Sequence, residues 1–148
     1  MKTKTVIEEF NQEDLVDLLC TATYGSEYFA CRIPKGNYKG TELEDDNDCR
    51  EDSWAKVLLA GKTLYVYDYC SEEEAYGNLP HKWIPEENAM RYTITLEDIK
   101  KGAQQVLDSN NNYDKKCMQN WMAGVGDMDL YEAENLLQLF VFGETIYG

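Results

Sequence analysis

Residues 63–69 carry the clearest secondary-structure signal in the chain, the alternating run TLYVYDY. Alternation with a period of two places every second side chain on the same face, so this run predicts a half-buried β-strand. Residues 90–95, MRYTIT, alternate in the same way and are the expected pairing partner. The connection over residues 70–89 is too long for a tight hairpin and contains SEEE, glycine and prolines. We therefore predict an antiparallel strand pair with a projecting excursion at 70–89.

A helix-capping pattern occurs three times, as an N-cap side chain followed three residues later by an acid. The three pairs are Asn11 and Asp14, Thr95 and Asp98, and Asp129 and Glu132. Each pair precedes apolar residues at helical spacing, ending with Leu136, Leu137 and Phe140 in the last segment. The patterns predict helices over about 12–23, from 96 to just before 108, and from 130 onward.

Shorter patterns occupy the rest of the chain. Residues 27–33, EYFACRI, are rich in strand formers and stop at Pro34, which predicts a strand. The apolar spacing that begins at Trp54 indicates a short helix, which we expect Asp52 or Ser53 to cap and Gly61 to end. Residues 117–122 suggest a further short helix before the sequence MAGVGD interrupts regular structure.

These elements predict an α+β fold, with a small antiparallel sheet of about three strands packed against three to five helices. The chain has 148 residues, no internal repeat and no composition shift that would mark a boundary. We therefore expect residues 1–148 to form a single domain. An acidic loop at 34–52 and the excursion at 70–89 are expected to project from it.

Charge composition excludes several kinds of partner. Acids outnumber bases 28 to 14, so the formal net charge is −14. Direct binding to DNA, RNA or an anionic membrane requires a basic face, which argues against all three. The chain has no apolar run of about 18 residues that would cross a bilayer. The beginning, MKTKTVIEEFNQEDL, lacks the apolar core of a signal peptide, so a cytoplasmic location is expected.

Metal and catalytic motifs are the next class of feature to test. The five cysteines form no CxxC pair, and the single histidine, His81, has no cysteine within two to four residues. The D-x-N-x-N run from Asp108 lacks the glycine and the glutamate of a calcium loop. Signatures of nucleophilic catalysis and of phosphate-binding loops are missing. We expect no metal, no cofactor, no disulfide and no catalytic residue, which favours a protein that is not an enzyme.

Charge placement gives the strongest functional indication. Residues 41–52 contain seven acids and one base, Arg50, and a second block of three glutamates opens the excursion. A solvated loop kept soluble by its charge is one explanation. The other is an anionic surface that competes with nucleic acid for a basic groove, with Trp83 as an aromatic anchor. On this hypothesis, the predicted partner-binding residues are Glu42, Glu44, Asp45, Asp46, Asp48, Glu51, Asp52, Glu72, Glu73, Glu74 and Trp83.

Four segments occur in the order EDLVDLLCTATYGSEYFAC, AGKTLYVYD, YTITLEDIKKG and LLQLFVFGETIYG. Together they resemble a family of small uncharacterised phage and prophage proteins. The terminal FGETIYG is the most distinctive of them, and the match covers the frame of the chain. The acidic loop and the excursion look longer than in the usual members of that family.

A phage origin implies functions that act inside a bacterial host cell. A small acidic protein of this kind is similar to anti-CRISPR and other anti-defence inhibitors, many of which occupy nucleic-acid-binding surfaces. The resemblance therefore suggests a non-enzymatic inhibitor whose partner is a basic, nucleic-acid-binding host nuclease. The alternative is a phage accessory scaffold or a homo-oligomerising interaction module without a nuclease target. The oligomeric state stays open.

Overall fold

The computed structural model describes residues 10–24, 26, 28–34, 50–69, 90–124 and 126–147. Within these ranges the elements are helix α1 (Gln12–Thr23), strand β1 (Phe29–Arg32), helix α2 (Arg50–Leu59), strands β2 (Leu64–Asp68) and β3 (Met90–Ile94), and helices α3 (Leu96–Asp108), α4 (Asn112–Ala123) and α5 (Leu130–Phe142). The predicted α+β class is confirmed. The acidic loop up to residue 49 and the excursion at 70–89 lie outside the described residues.

The three strands form one antiparallel sheet in the order β1-β2-β3. Val66 of β2 lies opposite Cys31 on one side and Tyr92 on the other. Val66 is fully buried, and the ring of Tyr92 packs edge-on against Phe142 of α5 at 4.9 Å between centroids. The predicted pairing of the two alternating runs is therefore confirmed, with each strand slightly shorter than its pattern.

All three predicted capping boxes form. In each, the N-cap side chain accepts a hydrogen bond from a backbone N–H three residues later, and the acid there accepts one from the N-cap backbone. These bonds satisfy donors that a helix leaves unpaired in its first turn. Helices α1, α3 and α5 consequently begin at residues 12, 96 and 130, where the sequence predicts them.

Two helix boundaries differ from the sequence expectation. Helix α2 begins at Arg50, so Asp52 and Ser53 lie in its first turn and do not cap it. Helix α4 begins at Asn112, well before the short helix expected at 117–122. Its N-cap is Asn111, whose side chain accepts a bond of 3.0 Å from the Asp114 amide. The composition of the asparagine run predicts a loop. A single asparagine N-cap is nevertheless enough to start a helix there.

Helix α5 lies at the centre of the core and packs against α1, α3, α4 and β3. Leu136 and Leu137 are fully buried, and Phe140 is 5% exposed. Gly102 of α3 allows the close approach of the two helices, since a Cβ there would lie 2.5 Å from Cδ1 of Phe140. None of the helices in the described ranges has the length and apolarity that a bilayer crossing requires.

Candidate interaction surface

The predicted partner-binding residues fall into two groups. Most of them lie outside the described residues, and these are Glu42, Glu44, Asp45, Asp46, Asp48, Glu72, Glu73, Glu74 and Trp83. Glu51 and Asp52 lie in the first turn of α2. The C-terminal end of the acidic loop can therefore be placed on the fold.

Glu51 and Asp52 connect α2 to α1. The Glu51 carboxylate accepts a hydrogen bond from the Tyr24 hydroxyl and is 9% exposed. Asp52 Oδ1 accepts a bond of 3.3 Å from Nε2 of Gln12. Glu51, predicted as a partner contact, is thus engaged within the fold, whereas Asp52 is half-buried. Together the two residues hold the end of the acidic loop against α1.

Neutral donors serve many of the carboxylates elsewhere in the described ranges. The donor and acceptor pairs are Thr21 with Asp17, Tyr24 with Glu51, Gln12 with Asp52, Gln104 with Asp108, Asn135 with Asp114, and Asn120 with Glu132. A hydroxyl or amide satisfies the lone pairs of a carboxylate but adds no positive charge. The negative charge of these groups therefore contributes to the field outside the protein.

The chain turns after α5 and docks its last residues against the helix. Gly143 adopts a left-handed conformation (φ 82°) and donates its N–H to the Leu139 carbonyl. Gln138, 2% exposed, then accepts from the backbone amides of Ile146 and Tyr147 at 2.8 and 2.7 Å. Its Nε2 donates to the Tyr147 carbonyl at 3.2 Å. One buried glutamine thus holds the backbone of residues 143–147, which we call the C-terminal tail.

Two further sets of contacts fix the same tail, one through Asn135 of α5 and one through the side chain of Tyr147 itself. Asn135 Oδ1 accepts from Oγ1 of Thr145 at 2.6 Å, and its Nδ2 donates to Oδ1 of Asp114 at 2.8 Å. The ring of Tyr147 stacks on Tyr28 with centroids 4.8 Å apart, and its hydroxyl donates to Asp68 at 2.6 Å. The tail therefore links α5 to the sheet, and Asn135, which binds the tail, also bonds α4.

These contacts border an open cleft of about 320 Å³, which we call the C-terminal cleft. Its walls come from the start of α4, from one side of α5 and from the tail. They are formed by Asn111, Tyr113, Asp114, Tyr131, Glu134, Asn135, Thr145 and Tyr147. Tyr113 and Tyr131 are 49% and 73% exposed, so much of their ring surface is open to solvent.

The electrostatic environment of the cleft is negative. Although much of the Tyr113 ring is open, partial burial of its hydroxyl is the main cause that raises the pKa of Tyr113 to about 12, and neighbouring Cys117, Asp129 and Glu132 add to the shift. Burial also raises the pKa of the Cys117 thiol, to which Glu132 and Asp114 contribute. Hydrogen bonds from Asn135 and Tyr113 act in the opposite direction on that thiol. Nearby carboxylates thus disfavour further negative charge around the cleft.

Sequence reasoning did not find this cleft. Tyr113 and Asp114 belong to a run that was tested only as a calcium loop, and Tyr131 lies on the polar side of a predicted helix. Asn135 and Gln138 offered the available signal, because these two amides flank Leu136 and Leu137 just before the unusual FGETIYG ending. Buried amides in such a position require partners, and here the tail supplies them.

No group of three potential metal ligands occurs among the residues that the structure describes. The cysteines in those ranges, Cys20, Cys31 and Cys117, are free thiols. Comparison of the chain with protein-family models, curated proteins and solved structures gives no match. The function therefore has to be inferred from the charge, packing and surface chemistry of this chain.

Proposed function

We propose that this protein is a phage-encoded, non-enzymatic inhibitor of a bacterial defence nuclease, similar in kind to anti-CRISPR proteins. Its acidic surface occupies the basic groove in which the nuclease binds nucleic acid. The observation that carries this proposal is the excess of negative charge, a formal −14, together with carboxylates that take their hydrogen bonds from neutral groups.

A groove that binds nucleic acid is lined with lysine and arginine, because it must neutralise phosphates. A protein with a strong opposite field is attracted to such a groove and associates faster with it. Residues 41–52 concentrate seven acids beside a single base. This segment is the part of the chain with the charge density that the proposal requires.

The contacts at the described end of the acidic loop support the proposed role of this loop. Glu51 is held by Tyr24 and Asp52 by Gln12, so the described end of the acidic loop is fixed beside α1. The capping boxes of α1 and α3 use residues outside 42–48, so neutralising those acids leaves both helix starts unchanged. Neutralisation of acids in 42–48 should therefore change binding without changing the core.

The alternative function, an accessory scaffold or homo-oligomerising module, would require a surface suited to self-association. The apolar C-terminal residues are a natural candidate for it. In the structure Tyr147 stacks on Tyr28, and Gln138 bonds the tail backbone, so these residues are used within one chain. This arrangement favours the inhibitor over an oligomer that forms through the tail.

The decisive experiment measures DNA cleavage by a panel of purified bacterial defence nucleases, with and without this protein. The test variant carries Glu42→Gln, Glu44→Gln, Asp45→Asn, Asp46→Asn and Asp48→Asn. We expect the wild type to inhibit one nuclease and the variant to lose that inhibition. Inhibition by the wild type should also weaken between about 50 and about 200 mM salt, because the contact is electrostatic.

A second variant with the same change in net charge is the matched control. It carries Glu13→Gln, Glu97→Gln, Asp108→Asn, Asp127→Asn and Glu144→Gln, all exposed positions outside the acidic loop. This control should still inhibit. If both variants lose inhibition equally, net charge and not the acidic loop is responsible. If the first variant inhibits like the wild type, the proposed mechanism is wrong. Repeating the test on Glu72, Glu73 and Glu74 assigns the contribution of the second block.

A further inference from the structure

We propose that the C-terminal cleft binds the guanidinium group of an arginine side chain on the protein partner. This inference rests on the proposed function, because a nuclease groove that holds phosphates offers arginines. It adds to that function a shaped site, distinct from the acidic loop, which recognises one side chain. Tyr113, Tyr131, Asp114 and Glu134 supply the relevant chemistry.

The size of the cleft fits a single side chain better than a large ligand. Its volume of about 320 Å³ is at the lower end of the range for small-molecule pockets, roughly 300–1,000 Å³. It is open to solvent, and the exposed side chains of Tyr113 and Tyr131 are part of its lining. An arginine from another protein can therefore enter with its stem lying along apolar ring surface.

The lining combines aromatic faces with carboxylates, which is the combination that a guanidinium recognises. A planar cation stacks favourably on the face of a tyrosine ring. Asp114 and Glu134 provide carboxylates in the walls, and Asp114 keeps its position through the bond between its Oδ1 and Asn135. Glu134 is held in turn by the Ser26 hydroxyl. Asp114 is thus positioned before a ligand arrives, which lowers the entropic cost of binding, and Glu134, 5% exposed, adds negative charge to the wall.

The carboxylates around the cleft disfavour an anionic ligand. Asp129 and Glu132 lie close enough to influence Tyr113, in addition to the two lining carboxylates. The nearest lysines in the sequence, Lys115 and Lys116, follow Asp114 directly on α4. Side chains one and two positions apart on a helix point in different directions, so these lysines do not share the face of Asp114. Arginine is favoured over lysine because its planar fork both stacks and donates to two oxygens.

The test titrates the protein with N-acetyl-arginine methylamide and follows the side-chain amide signals of Asn111 and Asn135 by NMR. The matched probe is N-acetyl-citrulline methylamide, which has nearly the same shape but no charge. We expect the arginine probe to shift both signals and the citrulline probe to leave them unchanged. Equal shifts with both probes, or shifts confined to residues outside the cleft, would overturn the inference.

Variants of two lining residues separate stacking from charge. Tyr131→Ala should weaken the arginine probe about two- to fivefold, whereas Tyr131→Phe, which keeps the ring, should bind like the wild type. Asp114→Asn should weaken it about tenfold, and Asp127→Asn, an exposed carboxylate outside the lining, should not. Thermal melts identify any variant that fails to fold. If Tyr131→Ala and Asp114→Asn both fold and bind the probe normally, the cleft is not the site.

A comparison with free arginine identifies the source of the guanidinium, and the nuclease assay separates the two proposals. Free arginine has the same net charge of +1 as the blocked arginine, so tighter binding of free arginine would favour a free small molecule and overturn the side-chain assignment. Since the probe titration contains no nuclease, it can succeed or fail whatever the acidic-loop variants do. If the wild type inhibits a nuclease and Tyr131→Ala inhibits it equally, the cleft does not anchor that partner. Weakened inhibition by Tyr131→Ala supports the inference.

Discussion

Two of the contacts that helix α5 makes have opposite chemical character. Towards α3 it presents Phe140, which packs on Gly102 in an apolar contact set by shape. Towards the C-terminal tail it presents Gln138 and Asn135, whose amides are buried and hydrogen-bonded. The first contact requires complementary volumes, and the second requires a partner for each donor and acceptor. The apolar contact therefore supports the whole domain, whereas the polar contact positions the tail and with it one wall of the cleft.

The largest loss of stability should come from removing the aromatic ring at the apolar contact between α3 and α5. Phe140→Ala removes a 5%-exposed ring that also approaches Trp121 at 5.8 Å, so we expect a loss of about 3–5 kcal/mol in the free energy of unfolding. That is a large part of the about 5–15 kcal/mol that stabilises a typical domain. Urea denaturation measures the loss. Phe140→Leu, which keeps much of the volume, should cost less; equal melting of Phe140→Ala and wild type would show that this contact does not support the core.

Adding a larger side chain at the same contact should destabilise the protein less than removing the ring does. In Gly102→Val the added carbons collide with Phe140, whose Cα lies 3.3 Å from a Cβ at this position. We expect a destabilisation of about 1–3 kcal/mol, measured by urea denaturation. Gln105→Val on the exposed side of α3 is the matched control for the helix propensity of valine. If the two variants are equally stable, α3 and α5 can separate without a penalty.

Breaking the polar contact should affect the tail more than the domain. Gln138 uses both lone pairs of its oxygen and both hydrogens of its nitrogen, and bonds Ile146, Tyr147 and Glu134. Gln138→Ala leaves these backbone groups without that partner, which should cost about 1–3 kcal/mol. Hydrogen exchange should show faster exchange at the amides of Ile146 and Tyr147, with little change in α3. Gln104→Ala, which removes an exposed amide contact to Asp108, should leave the tail protected.

Asp17 is a buried carboxyl group whose hydrogen bonds do not fully compensate for its loss of hydration. Desolvation raises its pKa above the ordinary value of 3.8, against the bonds from Gly126 and Thr21. The folded state therefore holds this proton more tightly than the unfolded state does. Its contribution to stability falls as pH rises through the unfolded and then the folded pKa, and the penalty is complete above both.

Asp17→Asn should consequently be slightly more stable than the wild type at neutral pH, the smallest effect in this series. The advantage should disappear below the ordinary pKa of 3.8, where the wild-type carboxyl is protonated in both states. Urea denaturation at both pH values measures it. Glu13→Gln, an exposed acid on the same helix, should show no comparable dependence. A variant that is less stable than the wild type at neutral pH would mean that the charge of Asp17 stabilises the fold.

Local sequence determined the starts of α1, α3 and α5 and the pairing of β2 with β3. A capping box needs only two residues three apart, and strand alternation needs only one buried face, so both are visible in a short window. Tertiary contacts decided the rest. Helix α4 begins at Asn112, where the local Asn111 cap is supplemented by the tertiary bond between Asn135 of α5 and Asp114 in the first turn.

The sequence by itself also determined the strong negative charge, since every residue contributes to it wherever the chain places it. Only the tertiary structure decided which carboxylates remain exposed and which are buried within the fold. Glu51 is adjacent to Asp52 in the chain, yet it is buried against Tyr24, because α2 turns that side chain towards α1. The C-terminal cleft is likewise a tertiary product: its walls join residues 111–114, 131–135 and 145–147, which meet only when the tail docks on Asn135 and Gln138. Net charge is a sum over all residues of the chain, whereas a cavity forms only where separate segments meet in the fold.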